Sequence, residues 1–358
     1  MVFAGGETRV RHSASWYRVY RSGCLESHLK MNEAVESWSK PLDLLNSGEM
    51  IKICAPMVRY SKQAFRHLVR RYNVDIAYTP MIVSDSFVKS RKARDAEFTT
   101  GQGDRPLIVQ FAANNAIDLA NAAELVYRYA DGVDLNCGCP QRWAMAEGYG
   151  AHLLAHPELV RDMVLQTRNR LSDCSFTTSV KIRICSDLRK TVDFCQQLEA
   201  TGVSFVTVHG RTKDQRSEPV SIEAIRTVKD SLQIPVVANG DITSLSKAEE
   251  ICKETGVNGV MAARGMLDNP AMFSGSKHTP SVCVQDWLQL SSQLGCPLTQ
   301  FHHHLMFMLD QVLSRSEKRI FNSLTSYSAI VDYLRATYSI GQCLDKDKLI
   351  CERLHFIE

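Results

Sequence analysis

Short apolar segments that alternate with amphipathic segments fill the chain between residues 51 and 263. Each apolar segment has the length of a buried strand, and the segments between them have helical periodicity. The predicted strands are Ile51–Met57, Asp75–Met81, Pro106–Ala113, Gly132–Cys137, Ser179–Ile184, Phe205–Gly210, Pro235–Asn239 and Gly259–Ala263. Eight strands in regular alternation with helices, close to the ~250 residues typical of that architecture, predict a (β/α)8 TIM barrel.

Helices are predicted after most of these strands. They are Ser61–Tyr72, Asn115–Tyr129, Asp187–Ala200, Ile222–Ser231, Ser244–Thr255 and a helix that begins at Pro157. The alternative architecture, a doubly wound sheet, would carry a G-x-G-x-x-G turn after an early strand. The segment Gly101-Gln102-Gly103-Asp104 follows no predicted strand and opens no predicted helix, so the barrel is favoured.

The strand pattern ends near Phe273, and helical periodicity resumes after Pro280. The predicted C-terminal helices are Val282–Leu294, Leu298–Arg315 and Glu317–Ala336. The predicted organisation is a poorly ordered N-terminal extension (1–45), the barrel (46–278), a helical domain (279–340) and a divergent tail (341–358). The arginine-rich start fits a disordered tail better than a mitochondrial presequence. A cytoplasmic location is therefore expected, with a mitochondrial or nuclear one left open.

Composition narrows the class of protein. Hydrophobic residues make up 44% and charged residues 23%, as in ordinary globular proteins. No apolar run approaches the ~20 residues that cross a bilayer, so no membrane association is expected. The 12 cysteines accompany no secretory signal, which favours reduced thiols over a disulfide framework. Cys137 and Cys139 lack a second pair at zinc-ligand spacing, so no metal site is predicted.

Two thiols lie where the fourth strand ends, in Cys137-Gly138-Cys139-Pro140. Glycine accepts backbone angles that other residues resist, and proline cannot donate to a sheet ladder, so the strand must stop here. Loops at strand ends are where scaffolds expose reactive groups. The following loop, 141–150, is long and rich in glycine and aromatic residues, as a substrate-covering loop would be.

Distinctive residues follow nearly every strand, at the barrel end where active sites form. The candidates are Ala55, Pro56, Met57, Gln110, Asn136, Lys181, Arg183, His209, Arg211, Asn239, Gly240, Asp241, Ala263 and Arg264. Each alone also has a structural interpretation, such as a glycine turn, but their convergence favours a site. A buried lysine needs an anionic neighbour, which applies to Lys181. The glycines and Arg264 after strands seven and eight suit a phosphate monoester.

These segments resemble the tRNA-dihydrouridine synthases, and within them the eukaryotic dihydrouridine synthase 4-like branch. The resemblance rests on Val109-Gln110-Phe111-Ala112, Asn136-Cys137-Gly138-Cys139-Pro140-Gln141-Arg142 and Val208-His209-Gly210-Arg211. It covers all eight strands and most of the helical domain, and it implies FMN as cofactor. Pro56, Met57 and Gln110 would contact the flavin ring, and Ala55 would also belong to the cofactor site. Lys181 and His209 would face the pyrimidine side of the ring, and Asn239-Gly240-Asp241 and Ala263-Arg264 would hold the ribityl chain and phosphate.

The family's catalytic acid is the cysteine directly before proline. The resemblance therefore makes Cys139 the acid, leaves Cys137 as a packing or supporting thiol, and gives supporting roles to Asn136, Arg183 and Arg211. The implied reaction reduces the C5–C6 bond of uridine in the tRNA D-loop, with positions 20a and 20b indicated by the branch. A hydride from reduced FMN reaches C6 while Cys139 protonates C5, and NADPH or NADH restores the reduced flavin.

General chemistry agrees with this reaction. A thiol stays protonated at neutral pH yet can donate, and a stacked base must be flipped out to be reached. Two alternatives stay open. The chain could be another flavin barrel that reduces a free pyrimidine, or a tRNA-binding paralogue that has lost catalysis.

Three basic clusters are candidate phosphate contacts, and each could also be a merely solvated face. The preferred cluster is Lys89, Arg91, Lys92 and Arg94, in the predicted loop after strand two on the active-site side. The others are Arg315, Lys318 and Arg319 in the helical domain, and Arg66, Arg70 and Arg71 on the first helix. The chain is expected to act as a monomer.

Overall fold

The computed structural model describes residues 38–340. The predictions for residues 1–37 and for the tail 341–358 lie outside these residues. Within them, parallel strands form one closed sheet, and the TIM-barrel prediction is confirmed. The strands are β1 (Ile51–Cys54), β2 (Ile76–Tyr78), β3 (Ile82–Val83), β4 (Leu107–Ala112), β5 (Gly132–Cys137), β6 (Thr177–Arg183), β7 (Phe205–His209), β8 (Val236–Asn239) and β9 (Gly259–Ala262).

Strands β2 and β3 together occupy the second position of the barrel, because both pair with β4. The register shows why the strand is broken. Tyr78 pairs with Ile108 but Ile82 pairs with Phe111, so β2–β3 carries one extra residue. Pro80 lies in the gap and has no N–H to donate. The predicted continuous strand Asp75–Met81 is therefore wrong in its second half.

Helices surround the barrel and continue beyond it. They are α1 (Pro41–Leu45), α2 (Gln63–Arg70), α3 (Ser84–Lys89), α4 (Arg91–Glu97), α5 (Ala116–Val126), α6 (Arg142–Ala146), α7 (Pro157–Arg170), α8 (Leu188–Glu199), α9 (Ile222–Asp230), α10 (Leu245–Thr255), α11 (Arg264–Asp268), α12 (Ser281–Gln293), α13 (Leu298–Met308), α14 (Arg315–Asn322) and α15 (Tyr327–Tyr338). The described residues also contain two 3-10 helices, Gly150–Ala155 and Met272–Ser274. Along residues 38–340, every helix is too short or too polar to span a bilayer.

Side-chain caps set several helix starts. Asn115, Asp187 and Ser244 each accept a hydrogen bond from a backbone N–H of the first turn, as these residue types do at helix N-termini. Ser61 is the predicted cap of the helix Ser61–Tyr72, which corresponds to α2, but it does not cap α2. Its hydroxyl instead bonds the backbone of Met57 on the active-site side of the barrel, and α2 begins two residues later.

Between residues 281 and 340, the structure contains one helix more than predicted. The predicted helix Leu298–Arg315 ends at Met308, and the predicted Glu317–Ala336 is split into α14 and α15. Ser314 and Glu317 form a capping box that starts α14, and the Ser326 hydroxyl caps α15. These local caps outweigh the continuous apolar periodicity on which the prediction rests.

The helical region packs directly on the barrel. His304 of α13 lies with its Nε2 3.1 Å from the Tyr60 carbonyl oxygen, and its ring stacks on Phe65 of α2 at 4.4 Å between centroids. Trp287 of α12 contacts the same histidine ring. Asp286 accepts a hydrogen bond from Tyr72 and pairs with Arg71. These contacts place the C-terminal helices against α2.

Residues ahead of the predicted barrel boundary also belong to the barrel. The Trp38 indole donates to Asp131 at 2.7 Å, and the Arg105 guanidinium stacks 4.5 Å from its ring centre. Leu45 of α1 is buried, and its carbonyl accepts a hydrogen bond from Asn258. The described residues 38–45 therefore pack against the barrel, although the sequence predicts them to be part of the extension 1–45.

Candidate active site

The strand register puts the predicted polar residues on the inner face of the barrel. The Tyr78 side chain on β2 reaches Ser179 and Thr207 on β6 and β7, which identifies this face as the interior. Paired residues of adjacent strands share a face. The interior pairs are Gln110 with Asp134, Asn136 with Lys181, Arg183 with His209, and His209 with Asn239. Residues scattered over 130 positions of sequence thus meet at one end of the barrel.

The loop that carries Cys139 is held by backbone contacts. The Asn136 side-chain oxygen accepts from the N–H groups of Gly138 at 3.1 Å and Cys139 at 2.9 Å. The Cys139 carbonyl accepts from Ala151 at 2.9 Å. Gly150 has a φ of +63°, and a Cβ there would lie 2.5 Å from the Cys139 carbonyl oxygen. Only glycine fits this approach, so the half-buried Cys139 side chain has a well-defined position.

Lys181 lies half-buried beside this loop. Among residues 38–340, its ammonium has no carboxylate within the 4.0 Å of an ion pair. Burial lowers its pKa to about 8, although the charge of Asp134 acts to raise it. Asp134 is itself buried, which raises its carboxyl pKa to about 6. Within the described part of the chain, the anionic neighbour expected for Lys181 is therefore absent at contact distance, and an anionic ligand group would supply it.

The ends of β7 and β8 carry a second group of polar residues. Arg211 is buried and bonds Asp241 at 2.5 Å, and one of its nitrogens lies 3.4 Å from Nε2 of His209. Burial, with the cationic residues around it, lowers the pKa of His209 to about 2, so this imidazole is neutral. Arg183 donates to the carbonyls of Thr212 at 2.7 Å and of Gln215, and so fixes the loop after β7.

A cavity of about 260 Å³ opens between the ends of β8 and β9. It is lined by His209, Arg211, Asn239, Gly240, Asp241, Ile242, Thr243, Met261, Ala263, Arg264, Gly265 and Asp268. Gly240 has a φ of +116°, and a Cβ there would lie 2.4 Å from Val220. The predicted segments after strands seven and eight thus meet in one glycine-walled cavity with arginines at its edge, which fits a phosphate monoester.

The turn after β1 completes this end of the barrel. The Ala55 N–H donates to the Ala262 carbonyl at 3.0 Å, and the Met57 N–H donates to the Ser61 hydroxyl at 2.9 Å. Pro56 lies between them, half-buried. Together with Lys181 and the glycine-walled cavity, these groups fit a flat ring that carries a phosphate. No three His, Cys, Asp or Glu side chains converge as metal ligands within residues 38–340.

Comparison with known proteins identifies the family. A model of the dihydrouridine synthase (Dus) family matches residues 53–339. The chain belongs to the dihydrouridine synthase family.

Three relatives within this family show how far the likeness extends. The human tRNA-dihydrouridine(20a/20b) synthase [NAD(P)+]-like protein is 56% identical over 89% of this chain and 100% of its own length. The mouse protein of that name is 58% identical over 83% of this chain and 92% of its own. The Schizosaccharomyces pombe tRNA-dihydrouridine(20a/20b) synthase [NAD(P)+] is 46% identical over 81% of this chain and 89% of its own.

The basic clusters of this dihydrouridine synthase differ in accessibility. The preferred cluster lies on the short helices α3 and α4, so the loop predicted there is wrong. Lys89 pairs with Asp85 and Arg91 with Asp95, Lys92 is exposed, and Arg94 donates to the carbonyls of Phe87 and Val88. On α14, Arg315 and Arg319 are exposed, while Lys318 pairs with Asp310 at 2.8 Å. Contact with RNA stays a prediction for both clusters.

The first-helix cluster is structural. Arg66 is 1% exposed and pairs with Asp104 at 2.6 Å, and Arg70 donates to the Pro106 carbonyl. Arg71 pairs with Asp286 of α12. The helical spacing correctly grouped these arginines, but it could not show that the group faces inward, so the RNA-contact interpretation is wrong for Arg66 and Arg70.

Sequence reasoning also missed Asp134. It is fully buried and bonds both Gln110 and Ser179. A charged residue inside an apolar strand, two positions before Asn136 and so on the same face, is the signal that could have found it.

Proposed function

We propose that this chain reduces uridine to dihydrouridine in the D-loop of tRNA, at positions 20a and 20b, with FMN as cofactor and NADPH or NADH as electron donor. One observation carries the proposal. The half-buried thiol of Cys139 is held at the same barrel end as two other groups: the Lys181 ammonium, which has no carboxylate partner among the described residues, and the glycine-walled cavity after β8 and β9.

The residues divide the work between holding the cofactor and protonating the base. Asn239, Gly240, Asp241, Ala263 and Arg264 would hold the phosphate and ribityl chain, with Gly240 permitting close backbone approach. The segment Ala55-Pro56-Met57 and Gln110 would contact the ring. Neutral His209 would offer a hydrogen bond without adding charge. FMN, when bound there, supplies the hydride for uracil C6.

Lys181 and Cys139 would have different roles in the reaction: Lys181 would stabilise negative charge, and Cys139 would donate a proton. A cation beside the ring stabilises the negative charge that accompanies flavin reduction, and Lys181 would supply that cation. The Cys139 thiol donates a proton to C5, which completes the reduction of the C5–C6 bond. Because a stacked base cannot reach this thiol at the barrel mouth, the uridine must be flipped out of the RNA.

The test uses purified full-length protein reconstituted with FMN. NADPH and an unmodified tRNA transcript should give dihydrouridine, located by mapping reverse-transcription stops, while free uridine and UMP should turn over far more slowly. Turnover of free pyrimidines at the tRNA rate would favour a small-molecule reductase. Tight tRNA binding with no flavin retention would favour a paralogue without catalysis.

The same assignment can be tested in cells by measuring dihydrouridine in their tRNA. Total tRNA from cells that lack this protein should lose dihydrouridine at 20a and 20b and keep it elsewhere in the D-loop. Loss at other positions would overturn the assigned site.

A further inference from the structure

Four side chains form a continuous hydrogen-bonded line beneath the Cys139 loop. The Ser179 hydroxyl donates to Asp134 at 2.7 Å, and the Gln110 amide nitrogen donates to the other Asp134 oxygen at 2.8 Å. The Asn136 amide nitrogen donates to the Gln110 oxygen at 2.9 Å. The Asn136 oxygen accepts from the backbone of Cys139 at 2.9 Å. All of these side chains are buried.

The direction of every bond in this line follows from its backbone end. Backbone N–H groups only donate, so the N–H groups of Gly138 and Cys139 fix the Asn136 oxygen toward them. The Asn136 nitrogen must then face Gln110 and find an acceptor there. That requirement turns the Gln110 oxygen toward Asn136 and its nitrogen toward residue 134. Residue 134 must therefore accept.

Asp134 meets this requirement as a carboxylate, which accepts on both oxygens. Ser179 and Gln110 occupy one oxygen each. With no acceptor at residue 134, the Gln110 nitrogen would be buried without a partner, a costly arrangement that favours rotation of its amide. Rotation would set two amide nitrogens face to face and release the Asn136 oxygen from the Cys139 backbone.

We infer that Asp134 is a positioning residue that holds the Cys139 thiol in place through Gln110 and Asn136. The inference rests on the proposed function, in which Cys139 is the acid. It gives a role in the reaction to Asp134, which does not itself bond the Cys139 loop. The alternative is that Asp134 acts by its charge on Lys181, from which it is separated by more than ion-pair distance.

Two variants separate orientation from charge. Asp134→Asn removes the charge but keeps an oxygen for Gln110, and its nitrogen can donate to the Ser179 hydroxyl. Asp134→Leu, which has the same branching and the same number of side-chain heavy atoms, removes both charge and acceptor. If Asp134 acts by orienting Gln110, Asp134→Asn should react with tRNA at the wild-type rate and Asp134→Leu should be slower. If Asp134 acts by its charge, both variants should be slower by the same factor.

The measurement splits the holoenzyme reaction into halves. Oxidation of prereduced enzyme by unmodified tRNA should slow ~10- to 100-fold in Asp134→Leu, the usual result of a misplaced group. It should stay within about threefold of wild type in Asp134→Asn, because hydrogen-bond geometry is retained. Reduction by NADPH should change little in Asp134→Asn, and in Asp134→Leu it should slow less than the tRNA step, because only the Gln110 contact with the ring is altered. Equal losses in both variants, or no loss in Asp134→Leu, would overturn the inference.

A polarity swap keeps the test decisive if Asp134→Leu fails to fold. In Asn136→Asp the carboxylate forces the Gln110 nitrogen toward it, so the Gln110 oxygen faces the Asp134 carboxylate. Adding Asp134→Asn supplies a donor there and should restore at least a fivefold faster tRNA half-reaction. Adding Asp134→Ala to Asn136→Asp removes the same charge without a donor, in a smaller side chain that the buried site accommodates, and should restore nothing. Equal restoration by both would show that charge alone matters.

A readout without flavin distinguishes failure of this inference from failure of the proposed function. The alkylation rate of Cys139 by iodoacetamide in the apoprotein, followed on its own peptide by mass spectrometry, should match wild type in Asp134→Asn and differ in Asp134→Leu. This result is expected even if tRNA proves not to be the substrate. Identical rates in all three proteins would overturn the positioning role.

Discussion

Cys137 and Cys139 lie two residues apart in different environments. Cys137 is fully buried, and burial raises the pKa of its thiol well above the ordinary value. Cys139 lies beyond the break at Gly138, half-buried at the barrel mouth. A thiol sealed in the core can neither reach a substrate nor release its proton readily. The geometry therefore supports the choice of Cys139 as the acid.

A substitution at each thiol tests this choice. Cys139→Ala should still bind FMN and be reduced by NADPH, because neither step uses the thiol. Its oxidation by tRNA in a single turnover should slow by ~10²–10⁴, the contribution of a positioned general acid. Cys137→Ala should lose little activity and should instead be less stable, since it leaves a cavity in the core.

The two variants also show how this prediction would be contradicted. Equal, mild losses in the tRNA half-reaction would remove Cys139 from the mechanism. A severe loss confined to Cys137→Ala would assign the proton donation to the other thiol.

Lys181 predicts a pH dependence of cofactor binding. Its pKa is lowered to about 8 by burial, so the free protein loses this charge as the pH rises through that value. A bound anion favours the charged form, and above the pKa binding must be accompanied by proton uptake. FMN affinity of the apoprotein should therefore weaken as pH rises, by at most about tenfold per unit between about pH 8 and 9.

Flavin fluorescence titration measures this dependence. Lys181→Met should bind FMN more weakly at neutral pH and lose the dependence above about pH 8. Lys190→Met serves as the control, because Lys190 is exposed on a separate cavity and should keep the wild-type profile. A flat wild-type profile would show that Lys181 does not contact an anion of the cofactor.

At the scale of elements, two pairs of basic side chains are the predicted contacts with RNA. Lys89 and Lys92 lie on α3 and α4, which follow the second strand position at the active-site end of the barrel. Arg315 and Arg319 lie exposed on α14. Reversal of Lys89 and Lys92 to Glu should weaken tRNA binding and lower the salt slope by ~0.7–0.9 for each phosphate that the protein no longer neutralises. FMN content should not change.

Matched double variants decide which helix contacts RNA. Arg315→Glu with Arg319→Glu tests α14 without breaking the Lys318–Asp310 pair. Lys229→Glu with Lys253→Glu is the control, because these lysines lie in the last turns of α9 and α10, at the opposite end of the barrel. Binding isotherms at several salt concentrations give the slopes. If the α3–α4 variant matches this control, that cluster is only solvated.

How far the sequence predicts an element depends on what fixes its ends. β5 is predicted to the residue, because Gly132 begins the apolar run and Gly138 and Pro140 end it. The break between β2 and β3 depends on register with β4, which the apolar run does not record. The hydrogen bonds that link Asp134 to the Cys139 loop likewise join side chains of β4, β5 and β6. Only the folded barrel brings these three strands together.

At the scale of the whole molecule, the barrel and the C-terminal helices share one set of buried contacts. His304, Phe65 and Trp287 pack together between α13, α2 and α12. The same α2 also carries Arg66, which joins the barrel to the segment before β4 through Asp104. Loosening α2 would therefore disturb both regions, and the two should unfold together.

The Arg66–Asp104 pair gives the corresponding prediction. The Arg66 guanidinium bonds Asp104 as well as the carbonyls of Ser61 and Thr99, and the Asp104 carboxylate is 0% exposed. Asp104→Ala would leave this buried cation unpaired, which costs about 3–5 kcal/mol. Thermal unfolding should shift down by ~5–15 °C in one transition.

A matched surface pair shows whether burial is the cause. Arg71→Met breaks the partly exposed pair with Asp286 and should cost no more than about 1 kcal/mol.

Arg66→Met should leave the salt slope of tRNA binding at the wild-type value, since a side chain that is 1% exposed releases no counterions from a phosphate. A reduced slope in Arg66→Met, with unfolding unchanged, would return this arginine to the RNA surface and contradict its structural role.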